Sequence, residues 1–304
     1  MKHTLKVNLL LSLMFLLSQL LGIFVVYSTM NIKIIEGVPE VTYAETVMGP
    51  RPPLYGLESF LYVVTGVLIG TGILLLIIRF RKINWWRALF FFVVFIAISL
   101  SLGVFIRAEA AFLIALILAV WKMFLPNAII HNFTELLMYA GIAVLFVPLF
   151  NVLWIVILLL VISVYDFVAV FKTKHMVKMA KPLMKTEAFA GFMFHYSKKD
   201  GIRVKTTRIR PKGRSASSRH TGQAILGGGD IALPLIFTGV ALDSLIRISG
   251  FNIPMAFMKT LIISVILVTS LFLLLLKGEQ GKFYPAMPFL TAGCLIGYAI
   301  AILV

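Results

Sequence analysis

Nine runs of apolar residues partition this chain, at about 7–28, 57–78, 88–106, 110–125, 134–150, 152–171, 222–246, 255–276 and 283–304. Each is long enough, or nearly so, to cross a bilayer, which takes about 20 residues of helix. Lipid offers a peptide group no hydrogen-bond partner, so such runs are confined to helices that satisfy their own backbone. The polar residues that would cover a soluble domain are missing. Hydrophobic residues make up 61% of the chain and charged ones only 13%, with a mean hydropathy of +1.02. The pattern predicts an all-α polytopic protein of the cell membrane with nine transmembrane helices. The fourth and fifth runs are short, which predicts tilted or partly buried helices. Lys2 and Lys6 precede the first run much as in a signal peptide. That run is roughly twice the usual apolar region of such a peptide and no small-x-small site follows it, so a retained helix is expected.

Charge placement orients the helices. With the N-terminus cytoplasmic, only Lys33, Arg51, Arg107, Arg247 and Lys259 of the 28 Lys and Arg residues fall outside, as the positive-inside rule requires. The C-terminus is then outside. Trp85 and Trp86, beside Arg81 and Arg87, read as an interfacial belt. The bias accounts for the net charge of +16 without nucleic acid. Three segments follow: residues 1–171 with helices one to six, a basic cytoplasmic loop at 172–221, and residues 222–304 with helices seven to nine. The loop opens on Lys174, Lys178, Lys181 and Lys185, with Met176, Val177, Met179, Ala180 and Met184 mostly on the other side. This fits an amphipathic helix whose lysines meet lipid headgroups, or a solvated basic loop. The stretch "RIRPKGRSASSRHTG" has the composition of a disordered segment. No internal repeat is visible.

Two carboxylates are embedded in apolar sequence, Asp166 in "VISVYDFVAVF" and Asp230 in "LGGGDIALP". A carboxylate in lipid costs several kcal/mol unless it faces a cavity or a partner. Asp166 lies about five residues before the end of helix six, hence about 8 Å deep at 1.5 Å per residue. Asp230 lies about eight residues into helix seven, about 12 Å deep by the same rise. Antiparallel helices thus offer two carboxylates at one level near the cytoplasmic side. Such a pair can share a proton and act as base and acid on a peptide bond, or it can carry protons or cations. Gly227, Gly228 and Gly229 each cost roughly 1 kcal/mol against Ala inside a helix. They make room for a substrate backbone or for close helix packing. Pro285 and Pro288 deny two backbone donors at the start of helix nine, which either unwinds it or is an ordinary helix start.

Taken together, Tyr165-Asp166 as a YD motif, Gly227-Gly228-Gly229-Asp230 as GxGD, and Pro285-Ala286-Met287 as a PAL motif resemble the presenilin and signal-peptide-peptidase family of intramembrane aspartyl proteases. The third motif carries Met for Leu, a volume-conserving change. The resemblance covers residues 160–290. It implies Asp166 and Asp230 as a catalytic pair, with Tyr165, Gly227, Gly228, Gly229, Pro285, Ala286 and Met287 shaping substrate binding and access. It implies single-span or signal-peptide substrates in the membrane, and neither a metal nor an organic cofactor. "GDIALP" is similar to the signal-peptide-peptidase branch, whereas the cytoplasmic N-terminus is similar to presenilin and favours substrates with their N-terminus outside. Small size and the lack of an extended tail suggest a microbial, archaeal homologue. Partner subunits and oligomeric state are not legible. The alternatives are a prepilin-type peptidase, which carries a GxGD aspartate without the proline element, and a proton-coupled transporter, for which no repeat speaks.

Other residues carry weaker signals. His131 and Glu135 stand four apart on one helix face, which reads as a helix-end hydrogen bond before a metal site. His175, His195 and His220 lack ligand spacing, and no HExxH occurs. The lone Cys294 excludes an intrachain disulfide. "GRSAS" resembles a serine motif only in letters. Asp243 and Arg247 form an i,i+4 pair of structural character. The apolar patch "AFAGFMFHY" within the loop reads as a plug, a buried anchor, or an edge strand for β-augmentation.

Overall fold

The computed structural model describes residues 5–35, 38–80, 83–125, 127–173, 190–197, 221–249, 252–278 and 284–304. Among these residues nine α-helices appear in chain order: α1 (Leu5–Tyr27), α2 (Leu57–Arg79), α3 (Ile83–Leu102), α4 (Ala108–Phe124), α5 (Ala128–Phe146), α6 (Val152–Val168), α7 (Gly228–Ser249), α8 (Ile253–Lys277) and α9 (Met287–Leu303). Seven are long and apolar enough to cross a membrane. The other two, α4 and α9, have 17 residues each, about 26 Å at the helical rise.

Two antiparallel hairpins interrupt the helical pattern, and the all-helical expectation did not include them. Strands β1 (Met30–Ile35) and β2 (Val38–Tyr43) follow α1. Strands β3 (Gly191–Ser197) and β4 (Thr221–Gly227) precede α7. The second hairpin corrects the reading of helix seven. Residues 222–227 continue the apolar run but form a strand, because Ala224 and Leu226 alternate into the core on a period of two. The helix itself starts at Gly228. Asp230 is therefore in its first turn, and the depth count from residue 222 does not apply. Within the described part of the patch, residues 191–196 form a strand paired with β4, buried at Gly191, Phe192 and Phe194. This is the buried anchor, and its other edge is taken by α5 side chains rather than left for a substrate.

Helix α5 also starts earlier than expected, at Ala128, and is not short. Asn127 caps it by accepting from the Ile129 N–H at 2.9 Å. Its first turns carry His131, Asn132 and Glu135, which break the apolar pattern because they serve another element of the protein. The lysine-rich stretch at 174–185, the polar stretch at 208–222 for the most part, and His175 and His220 lie outside the described residues.

Helix α7 is the hub, packed on α1, α5, α6, α8 and α9. It holds Pro234 within its length, and this irregularity is kept inside the bundle. The first run is a helix built into the core, with Val7, Leu11, Phe15 and Ile23 fully buried. Helix α2 sits at the rim against α3 and α6 and leaves Leu61, Leu68, Ile69 and Leu76 exposed, as a lipid-facing helix should.

The β1–β2 hairpin is tied to the bundle by two arginines. Arg51 donates to the Ala44 carbonyl at 2.5 Å and to the Val144 carbonyl of α5 at 3.3 Å. Arg247 pairs with Asp243 as the spacing predicts, and it also donates to the Val41 carbonyl at 3.1 Å. Burial pushes the Tyr43 phenol far above its ordinary value, so it stays neutral beside Arg51.

Close helix packing is concentrated at a few glycines. A Cβ on Gly141 of α5 would fall inside the contact radius of the Ala97 carbonyl oxygen of α3, which is backbone and cannot turn away. Gly66 of α2 has open space around it. Gly141→Ala is expected to lower stability by about 1–3 kcal/mol through overpacking. Gly66→Ala is expected to be neutral or to gain up to about 1 kcal/mol from helix propensity. Thermal unfolding of both variants in one detergent checks the opposite signs.

Candidate active site

Asp166 lies near the end of α6 and is 6% exposed. The helix tightens into no ordinary terminus there but widens into a π-helical turn, Ala169–Thr173. Such turns re-aim the residues around them and recur at functional sites. The Asp166 carboxyl points across to the start of α9. The Met287 N–H donates to its Oδ2 at 3.1 Å, and the half-buried Ala286 precedes it at the N-cap position of α9. Helix α9 has no side-chain cap of its own at Ala286, so Asp166 supplies the acceptor that its free N-terminal amides need.

One turn back along α6 and one turn on along α9, the Ser163 and Thr291 hydroxyls meet at 2.7 Å. The two contacts set the rotation of α6 against α9. Pro285 and Met287 are buried and Ala286 is half-buried, so the proline-containing segment abuts Asp166 directly. Tyr165 points away from this cluster and is 60% exposed.

Asp230 stands in the first turn of α7, half-buried. Its helix packs on both α6, which carries Asp166, and α9, whose start Asp166 contacts. The strand-to-helix junction just before it explains the glycines one at a time. A Cβ on Gly227 would lie 3.2 Å from Asp230 Oδ2, so this glycine lets the carboxyl fold back over the end of β4. A Cβ on Gly228 would lie 2.9 Å from the Tyr139 hydroxyl and 3.1 Å from Ala190 Cβ, so here there is no room. Gly229 is exposed, with nothing within 4 Å of its missing Cβ. The cost of glycine inside a helix is small here, because the three sit at the junction and first turn rather than in mid-helix.

Beyond Asp230, Pro234 has no N–H to offer the Asp230 carbonyl, so the helical bond at that point is missing. Gln19 of α1 reaches the next carbonyl, that of Ile231, at 3.5 Å.

The strongest feature that sequence reading missed is how β3 is held. Asn132 of α5 accepts from the Met193 N–H at 3.1 Å and donates to the Met193 carbonyl at 3.3 Å. His131 Nε2 meets the Gly191 carbonyl at 2.8 Å. Glu135 accepts from the Gly191 N–H at 2.9 Å. The His131–Glu135 spacing was the only signal, and it marked side chains serving a strand across some 60 residues. Among the described residues, no group of three or more His, Cys, Asp or Glu side chains is arranged to hold a metal ion.

The sequence profile of the family described as signal-peptide peptidase, presenilin aspartyl protease matches residues 15–304. Two solved structures share the fold, each of a presenilin family intramembrane aspartate protease. The one in space group C222 has a TM-score of 0.58 and 19% identity, and the match covers 97% of this chain and 98% of that one. The one in space group P2 gives the same score and identity over 96% of both chains. No curated protein sequence compared with the chain matches it.

The three glycines make a steric prediction. Gly228→Ala is expected to destabilise the protein, because Tyr139 is fully buried and cannot yield. Gly229→Ala is expected to leave the thermal midpoint near that of the parent. Parallel melting curves decide it; equal losses would mean that the junction is not packed as described.

Proposed function

The chain belongs to the signal-peptide peptidase and presenilin family of aspartyl proteases, and from that premise we propose that Asp166 and Asp230 are the acid–base pair with which it cuts membrane-spanning peptides. It is a multi-pass membrane protein and an intramembrane aspartyl protease by family. The observation that supports the pair is their placement: Asp166 is buried near the end of α6 and anchored on the start of α9, and Asp230 is in the first turn of α7, which packs on both α6 and α9.

Two neighbouring carboxyls cannot both ionise easily, so one proton is shared between them. The ionised member takes a proton from water as the water attacks the scissile carbonyl carbon. The protonated member gives its proton to the carbonyl oxygen. Collapse of the tetrahedral intermediate breaks the C–N bond, and the amine leaves with a proton returned from the pair. The Met287 amide orients Asp166 through this cycle. Pro285, Ala286 and Met287 shape the approach to it.

A helical substrate hides its peptide bonds, so it must be unwound before it can be cut. The hairpin supports a way to do this. Strand β4 runs directly into the turn that carries Asp230, and β3 occupies only one of its edges. A substrate segment added as a strand to the other edge would bring an extended backbone past Asp230, over the open face of Gly229. Gly227 leaves room beside the Asp230 carboxyl, and Tyr165, exposed next to Asp166 in the chain, lines the outer approach to it. The substrates are single-span segments or signal peptides within the lipid.

The charge bias supports a cytoplasmic N-terminus, an outside C-terminus and a cut near the cytoplasmic side. Substrates then enter with their N-terminus outside. The segments 1–171, 172–221 and 222–304 serve as scaffold with the first carboxylate, connecting loop, and second carboxylate with the proline element. Neither the prepilin-type peptidase nor the proton-coupled transporter has an observation that favours it.

Asp166→Asn and Asp230→Asn are each expected to reduce cleavage of a purified single-span peptide by at least about 10³-fold, with the fold retained. Near-normal turnover by either folded variant sinks the pair.

A further inference from the structure

The deepest cluster of titratable groups outside the Asp166–Asp230 site lies between α4, α5 and the start of β3. Lys122 of α4 and Glu135 of α5 form an ion pair of 2.5 Å, with side chains only 1% and 0% exposed. An apolar pair of similar volume would hold two helices together at least as well. What a carboxylate does here that an apolar group cannot is accept several donors at once. Glu135 Oε1 takes the Lys122 ammonium, which also donates to Thr134 Oγ1 at 3.2 Å. Glu135 Oε2 takes the Tyr139 hydroxyl and the Gly191 N–H.

The Gly191 carbonyl can only accept, so His131 Nε2 carries the proton in its 2.8 Å contact. Both backbone groups of Gly191 are therefore gripped by α5. They are gripped at a φ of 145°, which L side chains rarely adopt. Gly191 is the register partner of Gly227. The neighbouring Ala190 carbonyl accepts from the Gly228 N–H at 3.1 Å. The Tyr139 oxygen and Ala190 together close the space where a Gly228 side chain would stand, two residues before Asp230.

We propose that Lys122, Glu135 and Tyr139 are positioning residues that set Asp230. Clamped at Gly191 and walled at Gly228, the junction between β4 and α7 has one rotation and one height, and Asp230 follows two residues later. Lys122 supplies the counter-charge to the carboxylate, Glu135 collects the donors, and Tyr139 transmits their position to Gly228. None of the three touches the reacting atoms. The inference rests on the reading of Asp230 as half of the acid–base pair.

The test uses the full-length protein in liposomes with a single-span peptide substrate, reading kcat, KM and the thermal midpoint. Tyr139→Phe keeps the ring packed edge-on against Phe192 and removes only the hydroxyl. A misplaced catalytic group costs rate rather than ground-state binding, so kcat is expected to fall about tenfold with KM within about twofold. A purely structural role would lower the midpoint and the folded fraction while kcat per folded enzyme stayed normal.

Tyr139→Phe also removes the atom that a Cβ at residue 228 would strike. The double variant Tyr139→Phe, Gly228→Ala is therefore expected to be more active than Gly228→Ala alone, the sign of coupling that their contact predicts. Glu135→Gln strands the buried Lys122 charge, and adding Lys122→Met is expected to recover stability without recovering kcat. Normal kcat in folded Tyr139→Phe, or strictly additive effects in the double variant, overturns the proposal. An inactive Asp230→Asn beside a normal Tyr139→Phe refutes this inference alone, whereas an active Asp230→Asn removes the reading beneath it as well.

Discussion

A buried strand has backbone groups on both edges, and where water is excluded each unmet group costs several kcal/mol. Strand β3 faces this constraint, with Gly191, Phe192 and Phe194 buried. One edge is met by β4. The other is met by a helix, which has no free backbone groups along its length and must answer with side chains. His131, Asn132 and Glu135 of α5 do so. The hairpin, the glycine junction and the place of Asp230 all depend on that substitution of side chains for a missing strand.

Asp166 solves a related problem in the opposite direction. Helix α9 begins inside the bundle with free amides, two prolines and no cap of its own. The carboxylate of a different helix accepts from one of them, the Met287 N–H. The same contact that completes a helix start also orients a side chain proposed for catalysis. Ser163 and Thr291 repeat the link one turn away, so the pairing of α6 with α9 does not hang on a single bond.

How much of this was legible in the sequence follows from the range of each signal. Asp166, Asp230 and Pro285 stand out because a charge or a missing donor in an apolar run is a local anomaly. The nine helices were visible for the same reason. The β4 strand was not, because "TGQAILG" joins an apolar run without a break and its alternation covers too few residues to separate from a helix. The start of α5 was placed late because the apolar run begins only at residue 134, after the polar His131 and Asn132, whose strand partner is not visible in the sequence. Lys122 and Glu135 sit on different helices, and nothing local in either stretch announces the pair. The separate duties of the three glycines were equally hidden, since Tyr139 lies nearly ninety residues upstream of the one it confines.

Helix α7 is held by a hairpin at each end. It grows out of β4 at Gly228, and near its other end Arg247 grips the β2 backbone. A rod fixed at both ends can neither slide along its axis nor turn about it without breaking one of those ties. Helix α6 is tied instead to a neighbouring helix, through Asp166 and Ser163 to α9, and its path widens into a π-helical turn just past Asp166. The two carboxyls thus stand on unequal mechanical footings. Asp230 is set by two hairpins and Asp166 by the start of another helix, so a change in the gap between them has to break one of those ties.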